Sequence, residues 1–398
     1  MEFGPIARAL IRNKVRFGLI VLQIAITLAV VVNAINMILA QRALMLRPSG
    51  FDDANLLWVN TRPFADAFGE RGYRIAADEA DLRELRSIPG VQAVTNTYFL
   101  PWQGGGSSGS VKVAGGDGNP HQVQQYSASP GLLQTLGVKV VEGRDFRDTD
   151  IDDSPDSKTA TVMISRATER LLFGNGSAVG RQLLDGTAVD SIVGVFDPFY
   201  NPYPFPIDEY VIVYAGHSSY GGADFLVRTQ PGAMHSVAAQ IPKALVGIND
   251  GRNVEVKTIE AVKDGYFTEA RIIIGGMTAV IVLLLLVTGL GIVGVTSFAV
   301  TERTRHIGTR RALGATRPAI VRYFLVENWM TTTFAAILGV VLAYALNYLL
   351  VTTTEAVKLD WRLVAAGVVL LWVQSVLATL APAFRAASVP PVIATRAV

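Results

Sequence analysis

The sequence predicts a helical membrane protein: four transmembrane helices, with an α+β extracytoplasmic domain inserted between helices 1 and 2. Three observations predict it. Four long stretches carry no charged side chain, and a spanning helix needs about 20 mostly apolar residues. The chain is 50% hydrophobic and only 17% charged, against about 25% charged in an average soluble domain. Its arginines cluster beside alternate ends of the apolar stretches, which fixes orientation.

The elements follow in order. Residues 1–16 predict a cytoplasmic interfacial helix. Phe3, Ile6, Ala7, Leu10 and Ile11 recur at helical spacing, and Arg8, Arg12 and Arg16 form a basic stripe. A basic tail is the alternative. Helix 1 covers 17–41. Asn33, Asn36 and Gln41 follow its apolar core where a signal peptide would show a small-residue cleavage site, so it reads as an uncleaved span. The exported domain covers 42–271. Helix 2 covers 272–300, a cytoplasmic helix and loop 301–322, and helix 3 323–354. A short outer loop, 355–362, leads to helix 4 at 363–384 and a cytoplasmic tail at 385–398.

Orientation rests on Lys and Arg near the span ends. Arg8, Arg12, Lys14 and Arg16 precede helix 1. Arg303, Arg305, Arg310, Arg311, Arg317 and Arg322 lie between helices 2 and 3, and Arg385 and Arg396 follow helix 4. Both termini and the Arg-rich loop are therefore expected in the cytoplasm, with the large domain exported to the periplasmic or extracellular side.

In the exported domain, Asn55–Asn60 and Val91–Phe99 read as extended. Ala76–Ser87 reads as an amphipathic helix with Leu82 and Leu85 inward, stopped at Pro89-Gly90. Thr159–Ile164 and Ser191–Val195 are β-branched runs of the buried-strand type, with a helix over Ser165–Phe173. Gly104–Ser110 (GGGSSGS) reads as a flexible loop. Asp148–Asp156 is acidic and turn-like but lacks calcium-loop spacing, so a solvated surface loop is expected. Asp197–Pro206 packs aromatics among prolines, as a partner-facing or self-packed loop.

Several chemistries are excluded. There is no cysteine, and the four histidines show no ligand spacing. A net charge of +2 gives no field for nucleic acid. No GxxxxGK[ST] occurs, so ATP is not bound here through a P-loop. Gly289, Gly291 and Gly294 form a GxGxxG, but inside helix 2, where small residues suit helix packing and not a dinucleotide. No catalytic, cofactor or metal residue is assigned. The intramembrane polar residues Gln23, Thr27, Asn33, Asn36, Asn347 and Gln374 suit a dimer seam, a pocket or ordinary interhelical hydrogen bonds.

The loop after helix 2 carries a specific pattern: Glu302, Arg303, Arg305, His306, Ile307, Gly308, Arg310, Arg311, Leu313, Gly314 and Ala315 in order. It resembles the ER-xx-EIG-x-R-x-A-x-GA signature of MacB/FtsX-type ABC transporter permeases. Ile88-Pro89-Gly90-Val91, Glu142-Gly143-Arg144-Asp145-Phe146 and Pro382-Ala383-Phe384-Arg385 extend the resemblance over nearly the whole chain. His306 departs from it, standing where the family usually has Glu. The resemblance implies a non-catalytic permease subunit. A separate ATPase subunit would bind ATP and Mg, dock on the coupling helix and drive extracytoplasmic motion. It implies a second permease copy or paralogue, membrane lipid around the helices, and a periplasmic adaptor and outer-membrane factor as further candidate partners. It also implies a division of the exported domain, with an inserted part near residues 100–205. An FtsX-like activator of a cell-envelope hydrolase and a lipoprotein-release permease are the alternatives. Close approach to the ATPase is expected at Gly308 and Gly314. Arg303, Arg305, Arg310 and Arg311 are the expected charged contacts, with Ile307 and Leu313 the apolar ones.

Overall fold

A computed structural model describes residues 14–97, 102, 107–116, 118–152, 154, 158–200, 209–216, 223–354 and 357–390. The interfacial helix expected over 1–16 lies almost wholly outside them, as does the end of the aromatic-proline loop. In chain order the elements are α1 (Lys14–Leu46), β1 (Leu56–Pro63), α2 (Arg71–Ser87), β2 (Val91–Thr97), β3 (Ser107–Val113) and β4 (His121–Ala128). Next come α3 (Leu132–Leu136), β5 (Val140–Gly143), β6 (Thr159–Ser165), α4 (Arg166–Phe173), β7 (Gln182–Asp185) and β8 (Ala188–Phe196). Then follow β9 (Val211–Ala215), β10 (Ala223–Thr229), α5 (Met234–Ile248), β11 (Arg252–Thr258) and α6 (Ile259–Tyr266). The chain ends with α7 (Thr268–Glu302), α8 (Thr304–Ala312), α9 (Arg317–Thr354) and α10 (Trp361–Ala387).

Two compact units result: Arg47–Thr268, and the helices before and after it. The helices α1, α7, α9 and α10 are each long and apolar enough to cross a membrane. They outrun the uncharged stretches at several ends, because a helix does not stop where the hydrocarbon does. The bundle core joins Ile24, Leu28 and Val32 of α1 to Ala335, Ala336 and Ala343 of α9 and to Val364 and Leu371 of α10. Small residues set the spacing. A Cβ on Gly339 would meet Leu28 at 2.9 Å, and one on Gly367 would collide with Val32. The GxGxxG does less. Gly289 faces the Gln374 amide and Gly291 the Gln23 amide, while Gly294 has nothing within 4 Å. Thus α7 is the least covered span, with Leu283 and Leu290 more than half exposed. It is held by polar links: Thr288 to Thr27 at 2.8 Å, Gln23 Nε2 donating to Val287 O at 3.3 Å, and Gln374 donating to Leu285 O. Asn33 donates to Ala343 O, and Asn36 and Asn347 to Val357 O. All six intramembrane polar residues therefore make interhelical or loop hydrogen bonds within this chain.

The inserted unit has two lobes. In the first, β11, β1, β10 and β2 form an antiparallel sheet. Successive strand side chains point to opposite faces. Leu57, Val59, Phe225 and Val227 accordingly meet Leu82 and Leu85 of α2 and Val237, Ile241 and Leu245 of α5 on one face. α2 starts earlier than expected, at Arg71. In the second lobe β4, β3, β7, β8, β6 and β9 pair in that order, and β9 pairs back onto β4. The ring closes into a six-stranded barrel filled by Val111, Val123, Val162, Ile164, Leu183, Ile192 and Ile212. The lobe runs to Ala215, beyond the expected limit near 205, because β9 is the strand that closes it.

One expectation is corrected. Ser107–Ser110, read as flexible loop, begins β3 and pairs with Gln122–Gln125. Composition argued for a coil, but pairing with a neighbouring strand satisfies the backbone regardless of side chain. Gly109 leaves room there for the Gln125 amide, which a Cβ would displace. In the acidic segment, Asp150 accepts from Arg144 at 2.5 and 2.9 Å and from Arg147 N at 2.7 Å, so this carboxylate anchors a turn.

Candidate functional site

The loop between α7 and α9 is nearly all helix. Only Leu313–Thr316 separates α8 from α9. Its inner face follows the 3.6-residue period: Ile307, Gly308 and, one turn on, Arg311. Ile307 is buried with Ile320, Phe324, Ala383 and Ala386. Arg311 donates from Nη1 to Ala387 O at 3.0 Å and Val389 O at 2.7 Å, satisfying carbonyls at the end of α10. At the other end Arg303 binds Glu327 of α9 at 2.9 and 3.0 Å. Gly314 takes φ +97°. Ala315 N donates to Arg310 O and Gly314 N to Arg311 O, a Schellman cap that only glycine forms without strain.

The signature residues therefore separate into two sets. Ile307, Gly308, Arg303 and Arg311 face this chain's own helices, which sequence spacing did not reveal. Gly314 serves the turn; nothing lies within 4 Å of its Cβ position. Glu302, Arg305, His306, Arg310 and Leu313 are exposed, and Ala315 is half-buried. Arg310 also stacks over Tyr323 at 5.3 Å. Leu313 is 83% exposed.

A second cluster was missed by sequence reasoning. It joins the two ends of the inserted unit to the barrel lobe. Arg47, the residue after α1, lies 4.0 Å over the Tyr200 ring and pairs with Glu209 at 2.6 Å. Tyr200 N donates to Ser49 O at 2.7 Å. Trp102 is buried against Tyr200, Tyr266 and Phe267 at centroid distances of 5.8, 6.2 and 5.5 Å. Phe267 directly precedes α7. Trp102 alone among described non-glycine residues has positive φ, 70°. The Pro-rich aromatic run gave the only sequence signal, through Tyr200.

Four apolar spanning helices with an α/β domain between the first two define a multi-pass membrane protein. Residues 18–244 match the MacB-like periplasmic core domain and residues 278–391 the FtsX-like permease C-terminal domain. The chain belongs to the MacB/FtsX-type family of ABC transporter permeases. It is 26% identical over 330 residues to the uncharacterized ABC transporter permease YknZ of Bacillus subtilis, covering 80% of this chain and 78% of that one. It is 25% identical over 379 residues to the macrolide export ATP-binding/permease protein MacB 2 of Aeromonas hydrophila, covering 89% of this chain and 54% of the relative. The chain thus spans about half the length of that MacB relative. The crystallised periplasmic region of MacB from Actinobacillus actinomycetemcomitans aligns with 56% of this chain and 98% of its own, at TM-score 0.37 and 16% identity.

Proposed function

We propose that this chain is the permease subunit of a MacB-like transporter, moved by ATP hydrolysis in a separate ATPase subunit that holds the ATP and Mg. The observation that carries this reading is the two-faced helix α8. Its inner face is fixed to α9 and α10 through Ile307, Arg303 and Arg311. Its outer face offers Arg305, His306 and Leu313. A cationic helix with one exposed apolar residue suits an acidic groove with an apolar floor. Docking there would move α9 and α10 with α8, because Ile307 is buried in their apolar cluster and the half-buried Arg303 and Arg311 are hydrogen-bonded to them. The cluster around Trp102 would pass that motion to the barrel lobe, since it ties the residues adjoining α1 and α7 to Tyr200. The exposed face of α7 would receive a second copy or a paralogue. The work done is export or envelope transport.

The test is co-purification with a co-expressed ABC ATPase. Arg305→Glu combined with Leu313→Asp is expected to reduce the ATPase recovered at least tenfold, with the melting temperature of the permease unchanged. Undiminished recovery refutes the docking face.

A further inference from the structure

The barrel lobe has two unlike ends. At one, the inward positions hold Gln125, Asp185, Asp190 and Tyr214, hydrogen-bonded together. At the other, α4 leans across the opening and leaves a hollow of 330 Å³. Leu172 and Phe173 of α4 and Val113 of β3 form its apolar wall. Phe173 and Leu172 also pack on the barrel core, so this wall is continuous with the interior. Lys112, His121 and Arg181 line it too, with Gly116, Gly118 and Asn119 of the β3–β4 turn. No acidic side chain lines the hollow among the described residues, and there neither Lys112 nor Arg181 has a carboxylate partner. The Arg181 guanidinium lies 5.4 Å over the Phe173 ring, so cation and apolar wall adjoin.

Four arginines elsewhere on this domain are matched, Arg47 by Glu209, Arg144 by Asp150, Arg228 by Asp52 and Arg252 by Asp81, whereas other exposed cations such as Lys139 and Lys158 stand on open surface outside the lining of this hollow. Unmatched cations at an apolar concavity are a recognition pattern for an anion that carries a hydrophobic group. Barrel mouths are a recurrent place for such sites, and the volume stands at the small end of the usual range of about 300–1,000 Å³. We propose that this mouth binds a small anionic amphiphile: one carboxylate or phosphate on Lys112 and Arg181, joined to a single ring or short acyl group against Phe173 and Leu172. The site goes beyond the coupling role and does not depend on it.

The experiment uses the full chain in phosphatidylcholine nanodiscs, with empty nanodiscs as the partition control. The probe is para-fluorophenyl phosphate, followed by fluorine NMR. Saturable binding is expected, weakened at least tenfold by Lys112→Gln with Arg181→Gln. The pair Lys139→Gln with Lys158→Gln, exposed elsewhere on the same domain, should leave it unchanged. Inorganic phosphate should compete at least tenfold more weakly than phenyl phosphate, and neutral para-fluorobenzyl alcohol should not bind saturably. Four outcomes overturn the proposal: no saturable binding, equal loss in both double variants, equal competition by inorganic phosphate, or equal binding of the alcohol. Melting temperatures of both variants, matched to the parent, separate a lost site from a lost fold.

Discussion

The two lobes of the inserted domain bury carboxylates in opposite ways. In the sheet lobe Asp81 meets Arg252 in a two-pronged ion pair, with both side chains 1% exposed, and Arg252 also donates to Leu245 O at 2.9 Å. In the barrel Asp190 is as deeply buried, and no cation pairs with it among the described residues. Its Oδ2 accepts from the Tyr214 hydroxyl at 3.1 Å, and its Oδ1 has no partner. Burial alone raises a carboxyl pKa, and a paired guanidinium lowers it. Burial pushes Asp190 up to about 6, with the neighbouring Asp185 adding to the rise. The sheet lobe has its own exception one turn from the pair. Asp78 is pushed up to about 7 by burial and by Asp81, and among the described residues it accepts a hydrogen bond from Asn96 alone, at 3.3 Å. Burial raises Asp81 as well, with the hydrogen bond and charge of Arg252 opposing it. A buried acid is thus held either against a paired cation or by keeping its proton, and the two arrangements respond differently to mutation and pH.

The largest expected effect breaks the paired solution. Arg252→Met leaves Asp81 buried and alone, and removing one partner of a buried pair costs about 3–5 kcal/mol. Urea titration of the domain signal should show the midpoint falling accordingly. A loss below about 1 kcal/mol would mean the pair is not buried as described.

The next effect tests the protonated solution, and its sign is opposite to ordinary acid denaturation. In the unfolded chain Asp78 and Asp190 lose their protons near the ordinary aspartate value of 3.8. In the folded chain they hold them to about 7 and about 6. Between those limits the folded state binds more protons, so stability falls as pH rises through the window and levels off above it. Asp78→Asn keeps an acceptor for Asn96 and removes the titration. It should flatten the decline between pH 5 and 8, by on the order of 2 kcal/mol, and Asp190→Asn should act more weakly over a lower window. Melting curves across pH, parent against variant, read this directly; parallel curves would refute it.

Much of this was legible beforehand and some was not. The four spans were plain, because membrane solvent imposes a composition that no local contact can override. Leu82 and Leu85 showed their face through helical period, and Ser165 stands as the N-cap of α4, accepting from Thr168 N at 3.2 Å. The barrel was hidden. Closure depends on β9 pairing with β4 across most of the lobe, and nothing in either strand's own sequence specifies a partner. The packing glycines were hidden for the same reason. Gly289, Gly291 and Gly294 form a visible motif on the most exposed span, whereas Gly339 and Gly367 stand singly and take the close contacts. In the loop, Arg303 and Arg311 read as charged contacts for a partner subunit. Their partners, Glu327 and the Ala387 and Val389 carbonyls, come from other helices and cannot be read from spacing.

The smallest effect carries the comparison into the membrane unit, where polar groups are again either fully or partly matched. Asn328 donates to Ser375 O at 3.0 Å and Ser375 Oγ at 2.7 Å, inside a cluster with Thr332 and Thr379. Gln374 donates to Leu285 O, while its Oε1 is buried without a partner. Interhelical hydrogen bonds of this kind average only about 0.6 kcal/mol, because the unfolded chain in lipid also finds partners. Asn328→Leu should therefore cost about that much, plus whatever the stranded Ser375 loses. Gln374→Leu gives up one bond but also removes an unsatisfied acceptor, so its net cost should be close to zero. Thermal unfolding of both variants in one detergent ranks them. If Gln374→Leu is the more destabilising, the α7 contact is stronger than its one-sided hydrogen bonding implies, and α7 belongs to the tight bundle after all.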